Sequence, residues 1–164
     1  VGYKAEGNQH YKARRLSQAI RRYHWALLHL RGVDPNASPP LPAIGTPTVQ
    51  LSPQQSELLY STQCDCYNNL AACLLLTDTV NYERVRTYSE KVLERQPGNV
   101  KALYRAGVAS NHLRDYQRAL GFLSQAAKLQ PCDVSVRRYL QDTEQKLSSY
   151  HTREKLMYQN MFSK

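Results

Sequence analysis

Apolar residues recur along this chain at three- and four-residue steps, the period of one buried helix face, in seven successive runs. Residues 2–13 predict a first helix with Gly7 inside it, and 16–31 a second. In the second, Leu16, Ala19, Ile20, Tyr23, Ala26 and Leu27 share a stripe and leave Arg21, Arg22 and His29 outward. Residues 32–53 hold six of the eight prolines, with Gly32 and Gly45 among them, and predict a long loop. A third helix starts near Pro53, a residue suited to a first turn, and runs through CYNNLAACLLL to about Leu76. After the polar turn TDTVN, a fourth covers about 82–95 and stops before Gln96-Pro97-Gly98-Asn99. The fifth is 100–112, the sixth 116–129, and the seventh runs from about Asp133 to near the end. The fold class is all-α.

A second, longer period lies over the first. Pro97 and Pro131 are 34 residues apart, as are Tyr82 and Tyr116, Val85 and Ala119, and Val92 and Ala126. Ala19 and Ala26 carry the same seven-residue separation, and Gly7, Ala71 and Gly107 take the equivalent small site on helices one, three and five. Small residues suit those sites because antiparallel helices cross closely there and a larger side chain forces them apart. The period predicts three helix hairpins over about 3–31, 54–97 and 98–131, the proline-rich loop 32–53, and a C-terminal helix 133–162, all in one domain spanning 1–164. That last helix carries Val136, Leu140, Leu147, Tyr150, Met157 and Met161 on one stripe. It is expected to cap the open face of the third hairpin, since the end of a solenoid needs a cover. Its distal half, with Leu156 and Phe162, is longer than a cap requires and offers a contact for a partner.

Residues 3–131 resemble the tetratricopeptide repeat (TPR) family, with small, aromatic and proline positions in the family's order. The middle hairpin departs from the pattern in using Val92 for the second alanine and in two extra turn residues before Tyr82. The resemblance implies an α–α superhelix in which the first helix of each hairpin lines a concave groove. On those helices stand Lys4 and Asn8, then Asn69, then Lys101 and Arg105: three cations and two amides. The set suits an extended peptide that ends in a carboxylate. Arg105 can engage a carboxylate through two hydrogen bonds, Lys4 and Lys101 act as point charges, and the amides donate directionally. The five positions match the two-carboxylate clamp of chaperone-binding TPR proteins. By that resemblance they would hold the end of a Glu-Glu-Val-Asp tail of Hsp90 or Hsp70, with Tyr11, Leu75, Tyr104 and Val108 lining the groove upstream of it. The segments AEGNQHYK, CYNNLAACLLL and KALYRAGVA are most similar to the tetratricopeptide-repeat protein 9 family.

Charge narrows the partner further. The net charge of +9, from 22 Lys and Arg against 13 Asp and Glu, calls for something acidic. The basic residues are spread along the helices and interleaved with Glu83, Glu90, Glu94 and Asp115, which argues against nucleic acid. No apolar run is long enough to span a bilayer and no signal peptide is visible, so a cytoplasmic location is expected, and the chain is read as a monomer. The cysteines at 64, 66, 73 and 132 lack zinc spacing and read as buried reduced thiols, with no metal and no cofactor. There is no phosphate-cradling glycine loop, no histidine pair at ligand spacing and no nucleophile elbow, so the chain is read as a binding module and not an enzyme. The alternative reading is a scaffold that binds proteins through its C-terminal helix or convex surface, independent of chaperones. Ser38-Pro-Pro-Leu-Pro42 contains a P-x-x-P pattern, for which a plain linker is the simpler account.

Overall fold

A computed structural model describes residues 1–37 and 50–163. Among the described residues seven helices follow in order: α1 (Gly2–Lys12), α2 (Leu16–Val33), α3 (Pro53–Leu75), α4 (Tyr82–Arg95), α5 (Val100–His112), α6 (Tyr116–Leu129) and α7 (Val134–Phe162). Their starts are set by local chemistry. Ser52 and Gln55 form a reciprocal capping box ahead of Pro53, and the side chains of Asn81, Asn99, Asp115 and Asp133 cap α4 to α7. α2 keeps its helical path through Val33, so it ends later than the glycine at position 32 predicts. The P-x-x-P segment lies outside the described residues.

Each helix packs on the next in sequence, and α1 also meets α3, α3 meets α5, and α5 meets α7. The result is an α–α superhelix of three antiparallel hairpins and a capping helix, with α1, α3, α5 and α7 forming one wall. The small positions of the repeat are packed inside it. Ala19, Val85, Val92, Ala119 and Ala126 have no exposed surface, and Ala26 has 4%. A Cβ on Gly7 would stand 2.6 Å from Tyr23 Cε1, and one on Gly107 would stand 2.5 Å from Leu123 Cγ. The core runs the length of the stack: Tyr23, Cys66 and Leu70 between the first and second hairpins, then Ala71, Val85 and Ala109, then Leu103, Ala126 and Val136 under α7.

α7 is also held by a polar cluster. Asn111, 2% exposed, donates to Asp142 Oδ2 at 3.0 Å and to Thr143 Oγ1 at 2.7 Å, and accepts from Lys146 Nζ at 3.1 Å. The cap therefore docks through Val136, Thr143 and this cluster, while Tyr150, Leu156, Met157, Tyr158, Met161 and Phe162 stay exposed. Three cysteines are buried free thiols, but Cys132 is exposed, contrary to the expectation from sequence. It sits in the turn between α6 and α7, on no packed helix face. Among the described residues no helix is long and apolar enough to cross a membrane.

Candidate functional site

The wall of first helices carries a cavity of about 170 Å³. Its lining is Lys4 and Asn8 from α1, Asp65, Asn68 and Asn69 from α3, and Lys101 and Arg105 from α5. The steps Lys4–Asn8, Asp65–Asn69 and Lys101–Arg105 are each four residues, which places each pair on one helix face. Three helices thus bring together all five residues singled out from the sequence. Larger depressions of about 730 and 790 Å³ lie between α2 and α4 and beside α7, but each sets three Lys or Arg against two carboxylates. The small cavity sets three against one.

The amides are oriented by their neighbours. Tyr23, buried in the first core layer, donates its hydroxyl to Asn8 Oδ1 at 2.7 Å, and Asn69 Nδ2 donates to the same oxygen at 3.0 Å. Asn8 Oδ1 thus takes two donors, and among the described residues the Asn8 NH₂ donates to no other group. Burial pushes the Tyr23 phenol far above its ordinary pKa, so it stays a donor.

Arg105 is held in the same manner. Its Nη1 donates to the Asn68 carbonyl at 3.2 Å and to Asn68 Oδ1 at 2.9 Å. Asn68 Nδ2 in turn donates to Asn99 Oδ1 at 3.3 Å, the oxygen that caps α5. Burial is the dominant influence on Arg105 and lowers its pKa, a sign that the cation has lost water it would recover as favourable contact with an anion. Among the described residues neither Arg105 nor Lys101 is paired with a carboxylate. Lys4 is paired: its Nζ lies 3.0 Å from Asp65 Oδ2.

The residues assigned to the upstream groove do not line this cavity. Val108 is 5% exposed and part of the core. Leu75 packs on the layer of Ala71, Leu74, Val85 and Ala109. Tyr104 meets the edge of Tyr139 on α7, with ring centroids 5.9 Å apart. Tyr11 is exposed, on the last turn of α1. Conversely, Asp65 and Asn68 line the cavity and Tyr23 orients Asn8, roles that the spacing of charged and amide residues does not indicate. Register would have found Asn68, which stands three residues before Ala71 as Lys4 stands three before Gly7. The thiols near the site are inert: burial raises Cys66 and Cys73 to about 11.

No family model matches the chain. Tetratricopeptide repeat protein 9C of Xenopus tropicalis is 50% identical over 160 residues, covering 98% of this chain and 90% of that protein. Among solved structures, the C-terminal TPR-containing domain of a Plasmodium falciparum FK506-binding protein is similar with a TM-score of 0.76 at 26% identity, over 92% of this chain and 89% of that one. The first TPR of Spaghetti (RPAP3), bound to the HSP90 peptide SRMEEVD, is similar with a TM-score of 0.62 at 16% identity, over 89% and 90% of the two chains, a likeness of fold. The chain belongs to the tetratricopeptide repeat protein 9 family.

Proposed function

We propose that the chain is a protein-interaction module whose cavity grips the C-terminal carboxylates of an acidic peptide, specifically a Glu-Glu-Val-Asp tail of Hsp90 or Hsp70. The observation that carries this reading is the pair of cations, Lys101 and a partly desolvated Arg105, facing one cavity with only neutral acceptors beside Arg105. A cavity of about 170 Å³ suits carboxylate groups, with the rest of the peptide lying along the open wall. The solved neighbour that holds an HSP90 peptide ending in Glu-Glu-Val-Asp supports the choice of partner. Such a module works as a cytoplasmic co-chaperone or adaptor.

Charge-assisted hydrogen bonds contribute about 1.5–3 kcal/mol each before the cost of ordering a flexible peptide. An affinity near micromolar, about −8 kcal/mol, is therefore expected for the tail peptide. Calorimetric titration against the wild type and Lys101→Ala tests it. Lys101 is exposed, so its removal leaves the fold alone and should weaken binding about fivefold or more. A peptide amidated at its C-terminus should bind much more weakly than the free acid. No binding by the wild type, or binding indifferent to both changes, would sink the proposal. Hsp90 and Hsp70 tails titrated side by side decide between the two chaperones.

The exposed apolar end of α7 supports a second reading, a scaffold that engages proteins there. Partners lost on removing residues 150–164 yet retained by Lys101→Ala would favour it.

A further inference from the structure

The α3 helix presents a carboxylate where α5 presents an ammonium. Asp65 precedes Asn69 by four residues and Ala71 by six, as Lys101 precedes Arg105 and Gly107. Among the described residues Asp65 is the one carboxylate lining the cavity, and it reaches across to α1, where its Oδ2 meets Lys4 Nζ at 3.0 Å. The acid on α1 itself, Glu6, is engaged elsewhere, 3.1 Å from Arg22 Nε. Resting on the reading of the cavity as a carboxylate site, we propose that Asp65 is a built-in competitor for Lys4. It occupies the ammonium that the second carboxylate of a tail would take, and so holds the affinity for two-carboxylate ends below what the three cations alone would allow.

The geometry suits a competitor better than a structural lock. Asp65 is 56% exposed and Lys4 26%, so the pair is wet, screened and worth little to the fold. α1 is already fixed on α3 and α2 by the Tyr23 and Leu70 layer and by the Asn8–Asn69 bond. A ligand carboxylate arriving at Lys4 must break that ion pair, and then also feels Asp65 as a like charge at short range. A ligand with a single terminal carboxylate avoids both penalties by using Lys101 and Arg105. Asp65 therefore narrows the margin by which the site prefers an aspartate end over an asparagine end.

Two peptides that differ in one group isolate the effect: one ending in Glu-Glu-Val-Asp and one ending in Glu-Glu-Val-Asn, both with free C-termini. Each is titrated calorimetrically against the wild type, Asp65→Asn, Lys4→Ala and the double variant. Asp65→Asn is expected to tighten the aspartate peptide about two- to fivefold, the range of a partly exposed ion pair, with a smaller gain for the asparagine peptide. In the Lys4→Ala background that gain should vanish, which separates competition for Lys4 from a general change in field. Asp65→Ser, which removes the carboxylate without adding an amide, should behave alike, and unchanged urea midpoints would exclude a folding effect. Wild-type binding that Asp65→Asn leaves unchanged or weakens overturns the competitor and spares the carboxylate site. An equal gain with and without Lys4 overturns it too. If no variant binds either peptide, the carboxylate reading itself falls, and the competitor with it.

Discussion

Replacing Gly107 by alanine sets two ordinary effects against each other at one atom. In an open helix position the added methyl stabilises, by about 1 kcal/mol, because glycine loses more backbone freedom on folding. Here the new Cβ would stand 2.5 Å from Leu123 Cγ, 2.8 Å from Cδ2 and 3.4 Å from Cδ1. Cγ is the branch point of a side chain with no exposed surface, so it cannot swing aside as a flexible tip would. Either α5 lifts from α6 or Leu123 leaves its rotamer, and overpacking of that kind costs about 1–3 kcal/mol. The net expectation is a loss of about 1–2 kcal/mol, read as a fall of several degrees in Tm or a lower urea midpoint with unchanged slope. Gly121 supplies the control. It lies on α6 with nothing within 4 Å of its would-be Cβ, so Gly121→Ala should stabilise by about 0.5–1 kcal/mol. Adding Leu123→Ala opens the space, so Gly107→Ala should cost less in that background than alone. If Gly107→Ala stabilises as Gly121→Ala does, the close crossing of α5 on α6 is wrong.

Two further expectations concern the turns and the pH response. Arg14 and Arg114 hold φ of 59° and 63° in the equivalent turns of the first and third hairpins, a region that costs a side-chain-bearing residue about 1–2 kcal/mol. Arg114→Gly should therefore raise Tm by about 2–4 °C for a chain of this size, and an unchanged or lower Tm would contradict the strain. His24 and His112 both have lowered pKa values, chiefly through burial and secondarily through Arg84 and Lys146. The unfolded chain then binds their protons first. Stability is full above the unfolded value of about 6.5 and falls as pH drops through it toward the lowered folded values. Urea midpoints at pH 7.5 and 5.5 should show this fall, and it should be smaller in His112→Gln; an equal slope in the variant would remove His112 from the account.

Much of the fold is legible in the sequence because the repeat is written in small residues. Gly7, Ala71 and Gly107 mark helix crossings, and the paired small positions of α2, α4 and α6 are among the best-buried residues. Lys4, Asn8, Asn69, Lys101 and Arg105 could be gathered on one face because helical spacing and the stacking order of the hairpins together determine which faces meet. What the period does not encode is which side chains pair across helices. Asp65 and Lys4 are 61 residues apart, and nothing local to either announces the ion pair. Tyr23 reads as an ordinary stripe residue, and its second role depends on where its hydroxyl emerges. Leu75, Tyr104 and Val108, expected along the groove upstream of the carboxylates, pack instead in the core layers and against α7, contacts that helical spacing alone does not reveal. The exposure of Cys132 follows from its place in a turn, where helical periodicity no longer decides burial.

Packing and ligand chemistry are coupled in this chain at two residues. Tyr23 lays its ring into the space that Gly7 leaves open and places its hydroxyl on Asn8, so the helix crossing itself determines the direction of the amide. Asn68 grips Arg105 and also touches Asn99, the cap of the helix that carries Arg105. The cations at the cavity are therefore positioned by contacts outside it. A partly desolvated guanidinium with neutral acceptors gains from an anion more than an exposed lysine would, because part of its hydration has already been given up in folding. Changes at Gly7 or Asn99 should then alter carboxylate binding without touching the cavity wall, while the exposed Lys101 can be altered with little effect on the fold.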